Sequence, residues 1–125
     1  WAISIYQSTA VPEGTGTDLG TGSVNTNRII AQNGSGSTYA AGLARACTDG
    51  GYTDWFLPSK DELNKLYTNE AAIGNFDTTD SLGCLYWSSS EHSAVNNAKI
   101  QRFDNGSQGW DQKLNSRSVR AVRYF

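Results

Sequence analysis

The first fifty residues alternate between short apolar patterns and loops rich in small polar residues. Apolar and polar positions alternate over Trp1–Ile5, which predicts a strand, whereas residues 11–22 and 33–37 lack periodicity and predict loops. We predict a short helix over Asn25–Gln32, and a second helix over Tyr39–Thr48. Spacing of i, i+3, i+4 and i+7 predicts one buried stripe on the second helix, formed by Ala40, Leu43, Ala44 and Cys47.

The clearest helix signal in the chain follows Pro58. Ser59 and Glu62 have the spacing of a capping box, in which each side chain satisfies a backbone N–H of the first helical turn. We therefore expect a helix that starts at Ser59 and ends near Gly74. Its inner face should consist of Leu63, Leu66 and Tyr67.

The pattern changes to strands after residue 84. Alternating or apolar runs predict strands over Leu85–Ser90, Ala98–Asp104, Ser107–Leu114 and Ser118–Phe125. Asn105-Gly106 predicts a type I′ hairpin turn, because both residues tolerate positive φ. Helices come first and a β-meander comes last, so we expect an α+β fold, and residues 1–125 show neither an internal repeat nor a linker.

Arginines occupy both faces of the predicted last strand. Arg123 lies on one face and Arg120 on the other, and both faces also carry apolar residues. A buried guanidinium must be paired, so we expect at least one of these arginines to meet Asp54, Asp61 or Glu62. We assign both arginines to the scaffold and not to a binding site.

Composition narrows the class of protein. The 125 residues are 38% hydrophobic and 18% charged, while aromatic residues reach 11%. The hydrophobic and charged fractions both lie below those of ordinary globular proteins, and Gly, Ser, Thr and Asn are correspondingly frequent. The aromatic content argues against disorder, and no apolar run is long enough to span a membrane. We expect one domain with an extracellular character.

Charge is unevenly distributed. The net charge of −2 argues against a nucleic-acid partner. Residues 1–98 carry four basic and ten acidic side chains, whereas residues 99–125 carry six basic and two acidic ones. The basic end predicts either an anion-binding face or ion pairs with the acidic body of the domain.

Two cysteines, Cys47 and Cys84, are compatible with one disulfide. Such a bridge would close a loop that stabilises the fold by roughly 3–4 kcal/mol in the chain-entropy model. Two separate buried thiols are the alternative, and we favour the disulfide because the composition looks extracellular. There is no CxxC motif and no clustered His/Cys pair, so we expect no structural zinc.

Residues 51–63, with the sequence GYTDWFLPSKDEL, resemble the signature of the Lcl C-terminal-domain family. This family is named for the C-terminal domain of a bacterial collagen-like adhesin. The resemblance covers about residues 20–125. Further matching motifs follow in order along the chain: Gly20–Gly22, Asn25-Thr26, Ile29-Ile30, Tyr86–Glu91, Phe103, Gly106, Lys113 and Val119–Arg123.

The resemblance implies a variant of the C-type-lectin fold on bacterial surface proteins or phage-associated proteins. It implies a binding module; the named adhesin domain is trimeric and binds sulfated glycans. Similar domains are variable proteins of diversity-generating retroelements, in which the segment between the Tyr86–Glu91 and Val119–Arg123 motifs is the diversified surface. Family members usually carry strand-forming sequence ahead of the position of Trp1, so we expect a domain that lacks its N-terminal strand.

Catalysis and calcium binding are weaker interpretations of the polar residues. His92 follows three serines and Glu91, but adjacent strand residues point to opposite faces, and no GxSxG or HExxH motif is present. We therefore expect no enzyme activity and no required cofactor.

Calcium binding is a further alternative, at the hairpin or in the loop before Cys84. Neither group of residues has the fixed spacing of a calcium loop, and Asp or Asn at turns is the ordinary explanation. The residues concerned are Asp104, Asn105, Asp111, Asp77 and Asp80.

We expect ligand binding on the C-terminal hairpin, where amides and charges surround one tryptophan. The alternative is a solvated hairpin with Trp110 half-buried in the core. The expected function is a non-enzymatic module that binds a glycan, with a sulfated or other anionic glycan as one form. The alternatives are a hypervariable protein-binding domain and a trimerising fibre cap. The candidate ligand-binding residues are His92, Asn96, Asn97, Lys99, Gln101, Arg102, Asp104, Gln108, Trp110, Asp111, Lys113, Asn115 and Arg117.

Overall fold

A computed structural model describes all residues from Trp1 to Phe125. Four helices come first: α1 (Gly22–Asn33), α2 (Ala40–Arg45), α3 (Lys60–Thr68) and α4 (Glu70–Ile73). Three strands follow: β1 (Leu85–Glu91), β2 (Asn97–Arg102) and β3 (Gln108–Gln112). Two short 3₁₀ turns lie at Ser4–Tyr6 and Asp49–Gly51. The α+β prediction is confirmed, with an antiparallel sheet at the C-terminal end of the chain.

The capping box predicted at the start of α3 is present. The Ser59 hydroxyl accepts a hydrogen bond from the Glu62 backbone N–H at 3.3 Å, and the Glu62 carboxylate accepts one from the Ser59 N–H at 2.7 Å. Glu62 also accepts hydrogen bonds from the Gly20 N–H and the Tyr124 hydroxyl. The cap therefore anchors the loop before α1 and the C-terminal segment to the same helix end.

The sheet has the order β1-β2-β3, and both pairs are antiparallel. Leu85 and Trp87 of β1 and Ala98 and Ile100 of β2 belong to the main hydrophobic cluster, which also includes residues of α1, α2 and the N-terminal segment. Alternation along the strands then places Lys99 on the opposite face. Helix α3 packs against β1 and β2 through a second cluster. That cluster consists of Leu63, Tyr86 and Phe103, with Leu66, Tyr67 and Phe76 beside it.

The N-terminal segment is not a strand. Ser4–Tyr6 forms a 3₁₀ turn, and Ile5 is 70% exposed. The ring of Trp1 is buried, and its Nε1 donates a hydrogen bond to the Ser88 carbonyl at 2.7 Å. The segment thus inserts its first side chain beneath β1 and does not form the predicted strand.

The stripe predicted on α2 is also wrong in part. Ala40, Ala41 and Ala44 are buried, but Leu43 is 51% exposed. The helix ends at Arg45, so Cys47 lies beyond it. The buried face of α2 therefore consists of three alanines, and their small side chains let the helix pack closely against α1.

Residues 118–125 form two isolated bridges, so the predicted closing strand is wrong. Ser118 bridges Tyr86 in parallel, whereas Val122 bridges Phe56 in the antiparallel sense. The two ends of the segment therefore have different neighbours, and no continuous ladder forms. The expected pairing of an arginine with Asp54 is confirmed, because the Arg123 guanidinium bonds both oxygens of Asp54 at 2.8 and 3.2 Å. The expected burial of the pair is wrong, because the Asp54 side chain is 56% exposed.

The hairpin prediction is correct in position and wrong in turn type. The Arg102 N–H donates a backbone hydrogen bond to the Ser107 carbonyl at 2.9 Å, so the loop contains four residues instead of two. Only Gly106 has positive φ, at 78°, and Asn105 does not. The reason is Phe103, which is buried in the second cluster and donates its backbone N–H to the Cys84 carbonyl. Burial of this ring lengthens the loop.

The predicted disulfide is absent, and both cysteines are free thiols. Cys84 is fully buried and its thiol contacts the Ser81 carbonyl at 3.8 Å. Cys47 is partly exposed and lines a cavity beside Tyr52. The two thiols have separate environments, so the cysteines give no support to an oxidising compartment.

Candidate functional site

One surface of the hairpin, called here the β2–β3 face, consists of three exposed and two partly exposed side chains. The exposed ones are Gln108, Trp110 and Gln112, and the partly exposed ones are His92 and Lys99. Lys99 lies directly across from Trp110 in the β2–β3 register. Residues 108, 110 and 112 share a face because strand side chains alternate, and His92 follows β1 at the same end of the sheet. Helix α3 covers the opposite end of this side of the sheet.

Two aromatic rings form the centre of the β2–β3 face. Trp110 is 54% exposed, and its ring centroid lies 5.3 Å from that of His92 at an interplanar angle of 40°. The His92 Nδ1 accepts a hydrogen bond from the Ala94 backbone N–H at 3.1 Å, which fixes the imidazole beside the indole. Trp110 belongs to neither hydrophobic cluster, so the part of the alternative that places its ring in the core is wrong.

Lys99 is the one unpaired cation of this face. No carboxylate lies within 4.0 Å of its ammonium group. Its neighbours on the same side of β2 are the side chains of Asn97 and Gln101, which are 7% and 1% exposed. Gln101 donates to Asn64 of α3 at 2.8 Å and to the Gly106 carbonyl at 3.1 Å. Asn97 and Gln101 therefore belong to the interior and not to the exposed surface.

Arg102 and Asp104 form a bidentate pair at the hairpin loop. The Arg102 Nε and Nη2 donate to the two Asp104 oxygens at 2.9 and 2.6 Å. This pairing holds the pKa of Asp104 below its usual range and raises the pKa of Arg102. Each group cancels the charge of the other at neutral pH.

Three further predicted residues meet at a different place. Asp111 accepts hydrogen bonds from Asn115 at 2.8 Å and from Arg117 at 2.6 Å. Asp111 is offset by one residue from Trp110, so it points to the opposite side of β3. Asn115 and Arg117 line a cavity of about 300 Å³ next to Trp1. The structure therefore does not bring these three residues onto the β2–β3 face.

Lys113 is buried, although we expected it to bind ligand. Its side chain is 0% exposed, and its ammonium lies 2.6 Å from Glu91, 3.0 Å from the Thr9 carbonyl and 4.7 Å from the centroid of the Trp1 ring. A charged group in this position is held by its partners and is inaccessible to a large ligand. Of the remaining candidates, Asn96 is exposed in the loop between β1 and β2.

Gln112 is the residue of this face that sequence reasoning missed. It is exposed and pairs in register with Asn97. The signal was available, because counting in steps of two from Trp110 gives Gln108 and Gln112 on one side of the strand.

A larger cavity of about 910 Å³ lies between the C-terminal segment and the loops around α3 and α4. Its lining is mainly apolar and includes Tyr52, Trp55, Ile73 and Arg120. None of the candidate ligand-binding residues lies in it, so it is separate from the β2–β3 face.

The acidic residues considered for calcium have other partners. Asp77 accepts hydrogen bonds from the backbone of Thr79 and Asp80, which holds its pKa below the usual range. Asp104 and Asp111 pair with arginines. Across Trp1–Phe125, no group of three or more His, Cys, Asp or Glu side chains converges into a metal site.

These features define a small α+β domain with an exposed aromatic and amide surface on a C-terminal hairpin. The family model of the Lcl C-terminal domain matches residues 14–123, and the chain belongs to this family. The family name indicates an adhesin-associated domain and a surface location. Comparisons with curated proteins and with solved structures give no match. None of the helices combines the length and apolarity needed to cross a membrane.

Proposed function

We propose that this chain is a non-enzymatic glycan-binding domain of a surface or phage-associated protein, and that the β2–β3 face holds the glycan. The observation that carries the proposal is the exposed indole of Trp110, paired with the imidazole of His92. A sugar ring presents an apolar face of C–H groups that stacks well on an indole, while its hydroxyls bond to neighbouring polar groups. Exposed amides of Gln108 and Gln112 lie in the same row as Trp110.

The contacts of His92 favour binding over catalysis. A general base is normally oriented by a carboxylate or carbonyl, and it faces a nucleophile. Here the one hydrogen bond of the imidazole comes from the Ala94 N–H, and the ring lies against Trp110. The proposal also needs no metal, since Asp104 and Asp111 are engaged by arginines.

The family resemblance extends the proposal to a C-type-lectin-like fold and to a trimer at the cell or virion surface. A shallow face with one aromatic anchor gives modest affinity for a single site. Several copies on one particle raise the effective affinity without new contacts, so a trimer suits this mode of binding.

The test compares Trp110→Ala with Phe125→Ala on a glycan array. Both residues are exposed aromatics, but Phe125 is the terminal residue and lies outside the β2–β3 face. We expect the Trp110 variant to lose binding by roughly 10-fold, as for a stacked ring worth about 1–1.5 kcal/mol. The Phe125 variant should bind like the parent protein, and both should have an unchanged circular dichroism spectrum.

Equal binding by the two variants contradicts the assignment of the site. Absence of glycan binding, combined with selection of protein ligands through the same face, supports the alternative of a protein-binding domain. A trimer that binds neither class supports the alternative of a structural cap.

A further inference from the structure

We propose that the β2–β3 face selects an uncharged saccharide and discriminates against polyanions. This inference rests on the proposed function, and it specifies the class of glycan. It contrasts with the count of basic residues in the sequence, which favours an anionic ligand. The basic candidates are Lys99, Arg102, Lys113 and Arg117.

Three of these four cations are paired with carboxylates of the protein itself, and the pair of Arg102 lies at the surface. Arg102 is paired with Asp104 at 2.6 Å and Arg117 with Asp111 at 2.6 Å. Lys113 is paired with Glu91 at 2.6 Å and is fully buried. In the Arg102 and Arg117 pairs each side chain is one-third exposed or less, so water screens these contacts only partly.

The consequence is a face with a single uncompensated charge, that of Lys99. Sulfated and carboxylated polysaccharides are held by several cations at once. The logarithm of their affinity falls with the logarithm of the salt concentration, and the slope grows with the number of ionic contacts. An approaching sulfate would meet the Asp104 carboxylate as well as the Arg102 guanidinium, and attraction to one is cancelled by repulsion from the other. The hairpin therefore gives a polyanion little net attraction.

The groups that do project from this face match hydroxyls. Gln108 and Gln112 each offer an amide that donates and accepts, and a sugar hydroxyl does the same. Trp110 stands between them on the strand, and Lys99 faces it across the register. One stacking ring flanked by two amides fits a neutral sugar unit of a chain that lies along β3.

The first measurement compares neutral polysaccharides (a glucan, a galactan and a mannan) with heparin, at increasing salt. We expect binding to at least one neutral polysaccharide that is insensitive to salt and lost in Trp110→Ala. Heparin binding should be weak, with a salt dependence corresponding to about one charge.

The second measurement frees Arg102, which lies at the hairpin loop on the other side of β2 from Lys99, with the isosteric change Asp104→Asn. It tests whether the pairing of this arginine keeps polyanions off the hairpin as a whole. We expect heparin affinity to rise roughly two- to fivefold, with a steeper salt dependence. The matched control is Asp54→Asn, which makes the same change in net charge but frees Arg123, away from the hairpin. This control should leave heparin binding unchanged.

The outcomes distinguish a failure of the selectivity for neutral saccharides from a failure of glycan binding itself. Salt-sensitive heparin binding that requires Lys99, Arg102 and Trp110 overturns the selectivity for neutral saccharides but leaves the glycan-binding function in place. An unchanged heparin affinity in Asp104→Asn also overturns it, because Asp104 would then not mask Arg102. Failure to bind either class of polysaccharide overturns the proposed function together with the inference.

Discussion

The ion pair of Lys113 and Glu91 joins the N-terminal segment to the sheet. Besides Lys113, the Glu91 carboxylate accepts the backbone N–H of Val11 at 3.0 Å, and the Lys113 ammonium donates to the Thr9 carbonyl at 3.0 Å. The lysine is 0% exposed and the glutamate 12%. Removal of the lysine leaves a buried carboxylate that accepts a hydrogen bond from the Val11 N–H alone.

Replacement of Lys113 by Met removes the ammonium and keeps the length of the side chain. Breaking a buried pair in this way costs about 3–5 kcal/mol, a large part of the stability of a domain of this size. The melting temperature should fall by about 10–20 °C. The measurement is urea unfolding at neutral pH, followed by tryptophan fluorescence and by circular dichroism.

Two comparisons make this result decisive. Lys60→Met removes an exposed ammonium from its pair with Asp61, and this change should cost less than about 1 kcal/mol. The double variant Lys113→Met/Glu91→Leu removes both charges and should recover part of the lost stability. If Lys113→Met lowers the free energy of unfolding by less than about 1 kcal/mol, the pair behaves like an exposed one. The conclusion that this buried pair holds the N-terminal segment to the sheet would then be wrong.

Two further predictions concern the hairpin loop and the C-terminal segment. Gly106→Ala should cost about 1–3 kcal/mol in chemical unfolding, because φ is +78° and a Cβ would overlap the Tyr67 ring; Gly109→Ala, with open space, should cost little. Burial and the hydrogen bond to Glu62 raise the pKa of Tyr124 to about 12. The stabilisation from this hydroxyl should be complete below pH 10 and disappear as pH rises through 12, so the stability difference from Tyr124→Phe should shrink over that interval. A difference that stays constant contradicts the shifted pKa.

The sequence predicted correctly those elements that depend on interactions between residues close together in the chain. The helix that starts after Ser59 is an example, because its cap depends on two side chains three residues apart. The strand at Leu85 follows from its apolar run, and the position of the hairpin follows from the turn residues Asn105-Gly106. These interactions involve near neighbours in the chain, so their partners can be read from spacing alone.

The wrong predictions depended on distant partners. Residues 118–125 have strand-like alternation, but Ser118 and Val122 bridge different segments. Trp1, Ile3 and Ile5 alternate with small residues as in a strand, but the Trp1 ring is held by the Ser88 carbonyl, far along the chain. The disulfide prediction relied on composition, which carries no information about the distance between two thiols. Alternation indicates which side chains can share a face, and the tertiary fold decides whether a neighbour is available.

The charge of the candidate site also depended on which side chains the folded chain brings into contact. The six basic residues after position 98 were compatible both with an anion-binding face and with internal pairing. Carboxylates pair with four of them, two from the acidic body (Glu91 and Asp54) and two from the hairpin itself (Asp104 and Asp111). Coulomb attraction at short range removes those cations from the surface potential. Ligand class therefore depends on which cations lack a partner, and on the β2–β3 face only Lys99 does.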